Sequence, residues 1–160
     1  RARYWFPCFD APHDRATHDL VATVPLSWTT IGGGRQVSRV VNQAAATATV
    51  TWSLDRPMPP YLFTFAAGPF VSVEDRWQGV PIAHYVSPRD LEAARATFAR
   101  TPDVLDFFSE YTGFPYPYAK YAHVAVRDFP FGGMENTSAT TVTDAVVRSA
   151  EILAEGLILR

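Results

Sequence analysis

The chain has 160 residues, of which 48% are apolar and 19% charged, and its formal net charge at pH 7 is -2. This apolar content suffices for one ordinary core or parts of two. A net charge so close to zero gives no general attraction to polyanions, which argues against nucleic acid and anionic membranes as partners. No run of about eighteen apolar residues occurs, so no membrane-spanning segment is predicted.

The first half of the chain predicts an antiparallel β-sheet domain. Short alternating segments separated by turn residues are typical of such strands. We predict strands at 19–24, 36–41, 46–54, 61–66, 70–74 and 80–86, and the clearest breaks lie at 32–34 and 57–60. The pattern therefore predicts a β domain over residues 1–86.

The pattern becomes helical after Ser87. Ser87 can cap a helix and Pro88 suits its first position, while Thr101-Pro102 should kink the helix or split it in two. The apolar positions at helical spacing are Leu91, Ala94, Phe98, Leu105 and Phe108. We place residues 87–160 in a second domain, and the fold class is α+β.

The last part of the chain predicts two further strands and a helix. Residues 121–127 alternate like a strand, and residues 136–143, rich in threonine, form another. Asp144 could cap a final helix that includes Val147, Ile152 and Leu153.

The strongest functional signal lies between these two strands, in Phe131-Gly132-Gly133-Met134-Glu135-Asn136. Because glycine has no side chain, another backbone can approach closely at positions 132 and 133, and Glu135 can then meet a cationic group on that backbone. A peptide N-terminus is such a group, since its amine has a pKa of about 7.7 to 8.0 and internal peptide nitrogens carry no charge. The segment therefore predicts a site that distinguishes the end of a peptide from its middle.

Structural interpretations of the same residues stay open. A glycine-rich turn before a strand is common, and Glu135 could be only a surface carboxylate. The amide of Asn136 suits a hydrogen-bonding role in tight backbone geometry. His13 and His18 lie five residues apart, but without a third ligand of suitable spacing they predict no metal site.

The string at 132–136 resembles the exopeptidase signature G-x-M-E-N of the M1 family of zinc aminopeptidases, the gluzincins related to aminopeptidase N and leukotriene A4 hydrolase. Three other segments agree in chain order. Residues 3–12 resemble R-x-x-F-P-C-x-D-x-P, residues 58–62 with 68–70 resemble M-P-x-Y-L…G-x-F, and residues 113–117 with Lys120 resemble G-x-P-Y-P…K. Four matches in order, across nearly the whole chain, argue against chance similarity.

The resemblance implies both a fold and a site. Residues 1–86 would be the C-terminal part of an N-terminal β domain. Residues 87–160 would begin a thermolysin-like catalytic domain, with the signature on or beside a sheet edge that faces the active-site cleft. Glu135 would bind the ammonium group of peptide substrates that have a free N-terminus. The rest of the substrate-binding segment would be Phe131, Gly132, Gly133, Met134 and Asn136, with Phe131 lining the pocket for the first substrate side chain.

The family's zinc ligands lie in H-E-x-x-H on a helix and in a glutamate further along. This chain contains no H-E-x-x-H, so none of its residues is predicted to be catalytic or to bind metal. We expect the zinc ligands beyond Arg160, in a longer parent enzyme, and we expect this chain alone to be inactive. The cytoplasm is the expected location. The alternative is a parent that keeps the M1 fold as a non-catalytic scaffold or interaction protein; the intact signature favours the enzyme.

Overall fold

The computed structural model describes residues 2–148, which form two compact units. Among these residues, unit 1 comprises 2–69 and 135–140, and unit 2 comprises 70–134 and 141–148. The chain therefore passes from unit 2 to unit 1 between Met134 and Glu135, inside the signature segment. The domain boundary predicted after Val86 remains a prediction.

Unit 1 is built from β-strands with short 3-10 turns at Ala2–Tyr4 and Pro60–Leu62. Its strands are β1 (Ala16–Pro25), β2 (Thr29–Gly32), β3 (Arg35–Asn42), β4 (Thr47–Met58) and β5 (Phe65–Gly68). β1, β4 and β3 form an antiparallel sheet in that order, and β2 pairs with β5. The buried face of β4 carries Ala48, Val50, Trp52 and Leu54 at every second position, as period-two alternation requires.

Unit 2 combines a mixed sheet with two helices. Its elements are β6 (Val71–Trp77), β7 (Val80–Val86), α1 (Leu91–Phe98), α2 (Thr101–Thr112), β8 (Tyr121–Val126), β9 (Gly133–Met134) and β10 (Thr140–Thr143), with 3-10 turns at Pro88–Asp90 and Asp144–Val146. Thr140, the first residue of β10, belongs to unit 1. The strand order is β6-β7-β8-β10-β9. β7 and β8 are parallel, so the connection between them runs through both helices. One buried cluster joins Val86, Ala94, Phe98, Ala125 and Val147.

The α+β fold class is confirmed, and so is the split of the helical region. α1 ends at Phe98 and α2 begins at Thr101 with a proline in its first turn, because proline cannot continue the hydrogen bonding of a preceding turn. Pro88 occupies the first position of a 3-10 turn. Ser87 takes the cap position there but makes no side-chain cap bond.

Three predictions about strands are wrong in detail. Residues 61–66 are not one strand, because the prolines at 59 and 60 favour a 3-10 turn at Pro60–Leu62, and β5 begins only at Phe65. Residues 136–139 form a buried turn, and only Thr140–Thr143 is a strand. β6 and β7 do not belong to the first antiparallel sheet, since β7 pairs in parallel with β8. The alternation of a strand reveals its faces but not its partner.

The predicted cap of the last helix is also wrong. The hydroxyl of Thr143, one residue earlier, accepts a hydrogen bond from the backbone N–H of Ala145, and Asp144 is the first residue of the 3-10 turn. Ile152 and Leu153, which the same prediction placed in that helix, lie outside the described residues.

Candidate substrate-binding segment

The signature segment contains the end strand of the five-stranded sheet. Gly133 and Met134 form β9, which pairs with β10 through the registers Val142 to Gly133 and Thr141 to Met134. The backbone N–H of Thr143 donates to the carbonyl of Gly132 at 3.2 Å. β9 lies at the end of the strand order, so its other side pairs with none of the strands in residues 2–148.

Neither glycine before Met134 is required by the fold of the described residues. A Cβ added to Gly132 would meet no atom within 4 Å, and one added to Gly133 would make only ordinary contacts of 3.6 Å with Thr141 and Val142. Neither glycine has a positive φ. A larger residue would therefore fit at both positions, and glycine leaves this stretch of edge backbone uncovered.

The side chains that flank the glycines differ in exposure. Phe131 is 66% exposed and makes an edge contact with Phe129, with ring centroids 5.8 Å apart. Met134 is half-buried. Glu135 is exposed, and its carboxylate has no hydrogen bond or ion pair with any residue of the described range. The segment thus presents an aromatic ring, bare backbone and a free carboxylate.

Asn136 has the structural role that its residue type indicated. It is buried, and its side-chain amide donates to the carbonyls of Leu62 and Phe63 at 3.4 Å each. The backbone N–H of Thr137 donates to the same Leu62 carbonyl at 3.2 Å. These bonds lie within unit 1 and tie the end of the signature to the Pro60–Leu62 turn. A role of Asn136 in substrate binding stays a prediction.

Lys120 lies in the segment matched by G-x-P-Y-P…K and is half-buried. Burial lowers its pKa to about 7. The backbone carbonyl of Lys120 accepts a hydrogen bond from the Tyr116 hydroxyl at 2.9 Å, and burial raises the pKa of that hydroxyl. This hydrogen bond ties Tyr116, in the middle of the segment, to Lys120 at its end.

A histidine pair in unit 2, His84 buried and His123 half-buried, was not predicted from the sequence. The Nδ1 atoms of His84 and His123 lie 3.0 Å apart, and both rings stack with Phe98. The Tyr121 hydroxyl lies 3.1 Å from His123 Nε2. His84 is 1% exposed, and its Nε2 has no hydrogen-bond partner within the described part of the chain. The two histidines lie 39 positions apart in the sequence, so no local motif could predict their contact.

The residues present do not fit a zinc site. No group of three or more His, Cys, Asp or Glu side chains within residues 2–148 is placed to hold a metal ion. His13 is exposed, and His18 packs edge-on against Phe63 with ring centroids 4.6 Å apart. Within residues 2–148, none of the helices has the length and the apolar content of a membrane span.

Two parts of the sequence match domains of one peptidase family. Residues 1–62 match the Peptidase M1 N-terminal domain, and residues 96–152 match the Peptidase family M1 domain. The chain therefore belongs to peptidase family M1.

Curated relatives agree with this assignment. The chain is 31% identical to mouse glutamyl aminopeptidase over 142 residues, which is 88% of this chain and 15% of that protein. It is 30% identical to puromycin-sensitive aminopeptidase of Caenorhabditis elegans over 142 residues, again 88% of this chain and 15% of that protein. It is 30% identical to aminopeptidase N of Streptomyces lividans over 160 residues, with coverages of 94% and 18%. The chain thus spans less than a fifth of the length of each of these relatives.

Proposed function

We propose that this chain is part of a zinc metalloaminopeptidase that removes N-terminal residues from peptides, and that residues 131–136 bind the substrate's amine end. Membership of family M1 and the names of the curated relatives support the peptidase activity. Because the chain spans only a small part of those relatives, the activity belongs to the longer parent protein. The cytoplasmic location expected from the sequence stays a prediction.

The observation that carries the proposal is the exposed carboxylate of Glu135, which has no partner among the described residues and directly follows an edge strand. An unpaired carboxylate can accept hydrogen bonds from a cation, and such charge-assisted bonds are about twice as strong as neutral ones. A protonated peptide N-terminus offers a charge that an internal amide lacks. Glu135 would therefore select the end of a peptide.

The edge strand β9 offers the rest of the substrate's contacts. An extended peptide can add to a sheet edge through backbone hydrogen bonds. Glycine at positions 132 and 133 keeps side chains out of this space, and no contact within the described residues otherwise calls for glycine there. Phe131 supplies an exposed aromatic surface that favours apolar or flat first side chains.

The residues of this chain would bind and orient the substrate. Zinc in such enzymes polarises the scissile carbonyl and lowers the pKa of its bound water. The described residues do not hold it, and its ligands are proposed to come from the parent protein beyond Arg160. The contribution of Glu135 is to fix the ammonium group, so that the first peptide bond is the one presented for cleavage.

The test compares Glu135→Ala with wild type in the parent enzyme, on one peptide in its free and N-acetylated forms. Loss of a charge-assisted hydrogen bond corresponds to about 1.5 to 3 kcal/mol, so kcat/KM for the free peptide should fall about 10- to 150-fold. Turnover of the acetylated form should be poor in both proteins. Glu110→Ala removes another exposed carboxylate and controls for the change in net charge.

Two outcomes would contradict the proposal. One is equal turnover of free and acetylated peptides by the wild type, which is the behaviour of an endopeptidase. The other is a loss of less than about tenfold, equivalent to about 1.4 kcal/mol, in Glu135→Ala. A parent sequence that lacks H-E-x-x-H downstream of Arg160 would favour the scaffold instead.

A further inference from the structure

The four residues that follow Glu135 form a buried turn. Asn136, Thr137, Ser138 and Ala139 are all buried, and the backbone N–H of Ala139 donates to the Asn136 carbonyl at 3.2 Å, which closes the turn. Glu135 itself is exposed. The residue that carries the free carboxylate therefore directly precedes a buried turn.

Ser138 is the most constrained residue of this turn. It is 5% exposed and has a φ of 61°, in the left-handed region that residues with a side chain rarely adopt. Its Oγ accepts a buried hydrogen bond from the backbone N–H of Gly34 at 2.7 Å. Left-handed conformations of this kind persist only where the surrounding structure holds them.

The donor of that bond is itself fixed in place. Gly34 has a φ of 75°, and a Cβ at this position would clash with the carbonyl oxygen of Ser53, within β4. Only glycine can occupy the position without a shift of the backbone. The backbone N–H of Gly34, which donates to Ser138, is therefore held next to β4, the longest strand of unit 1.

We propose that Ser138 is a positioning residue, which anchors the turn after Glu135 to the Gly34 backbone and so fixes where the Glu135 carboxylate stands. This inference rests on the proposed function of Glu135. Ammonium recognition needs hydrogen-bond distances of about 3 Å, so a small displacement of the backbone beside the carboxylate weakens it. The bonds from Asn136 and Thr137 to the Pro60–Leu62 turn hold the near end of the turn, and Ser138 holds its far end.

The experiment uses Ser138→Gly in the parent enzyme. Glycine adopts a positive φ freely, so this change removes the hydroxyl acceptor without adding backbone strain. The readout is the free-amine selectivity, defined as kcat/KM for a free peptide divided by kcat/KM for its N-acetylated form. Loss of folded enzyme lowers the two apparent kcat/KM values by the same factor and leaves their ratio unchanged. A displaced Glu135 lowers the ratio.

We expect Ser138→Gly to reduce the selectivity at least threefold, mainly through a higher KM for the free peptide. The matched control is Thr30→Val, which removes a different buried hydroxyl of unit 1, the acceptor of the Trp52 indole N–H at 3.2 Å. That variant should lose stability and keep its selectivity. If Ser138→Gly yields no soluble enzyme, Ser138→Ala removes the same oxygen and is judged by the same threshold.

The positioning role is overturned if the Ser138 variant loses less than threefold in selectivity. Glu135→Ala is measured alongside, so that two failures stay distinct. If Glu135→Ala leaves the selectivity unchanged, the proposed function of Glu135 itself fails. If Glu135→Ala abolishes the selectivity while the Ser138 variant keeps it, only the positioning inference fails.

Discussion

The histidine pair of unit 2 predicts a loss of stability in mild acid. Because the Nδ1 atoms of His84 and His123 face each other at 3.0 Å, one ring donates and the other must accept with an unprotonated nitrogen. Burial lowers the pKa of His84 to about 4, with Asp75 acting in the opposite direction. Burial, and then the neighbouring His84, lower the pKa of His123 to about 3. Both rings are therefore neutral in the folded protein at pH 5.

The magnitude follows from the difference between folded and unfolded chains. An unfolded histidine has a pKa of about 6.5, so between roughly pH 6.5 and 4 the unfolded chain binds more protons than the folded one. The pair does not lower the free energy of unfolding above about pH 7, and lowers it progressively as the pH falls through this window. From pH 7 to pH 5 the loss is about 2 kcal/mol for each histidine.

The assay is urea unfolding of the chain at pH 7 and pH 5, followed by the amide NMR signals of Val86 and Val124. These buried residues belong to unit 2 and separate its response from that of His18 in unit 1, whose pKa burial also lowers. His84→Gln should remove about 2 kcal/mol of the acid loss.

An acid loss in His84→Gln equal to that of the wild type would refute the role of the histidine pair. A wild-type loss below about 1 kcal/mol between pH 7 and 5 would refute it too, since two histidines with pKa values of about 4 and about 3 require more.

Other predictions concern glycines. Gly34→Ala should destabilise unit 1 by more than about 2 kcal/mol, because the new Cβ meets the Ser53 carbonyl, as urea unfolding of the chain would show. Gly79→Ala has a similar φ of 88° but open space around its Cβ, so only about 1 to 2 kcal/mol is expected; equal losses at both positions would contradict the steric argument. Gly132→Ala should change stability by less than about 0.5 kcal/mol yet raise KM for free peptides in the parent enzyme, and an unchanged KM would argue against strand addition at β9.

Local sequence features foretold much of the fold. Pro88 and Pro102 each lie in the first turn of a helical segment. This effect is local, because the proline ring fixes φ and removes the backbone N–H of the same residue. Alternation located the faces of strands such as β4. Alternation could not say that β7 pairs in parallel with β8, because pairing depends on residues far away in sequence.

The sequence by itself determined the family and the candidate amine-binding segment, because residues 131–136 and the supporting motifs are contiguous and their chemistry can be read in place. Only the tertiary structure decided that Ser138 meets Gly34 across 104 positions and that His84 meets His123 across 39. Both contacts form because packing and backbone hydrogen bonding bring distant segments of the chain together. A pattern of neighbouring residues carries no information about contacts between residues so far apart in the sequence.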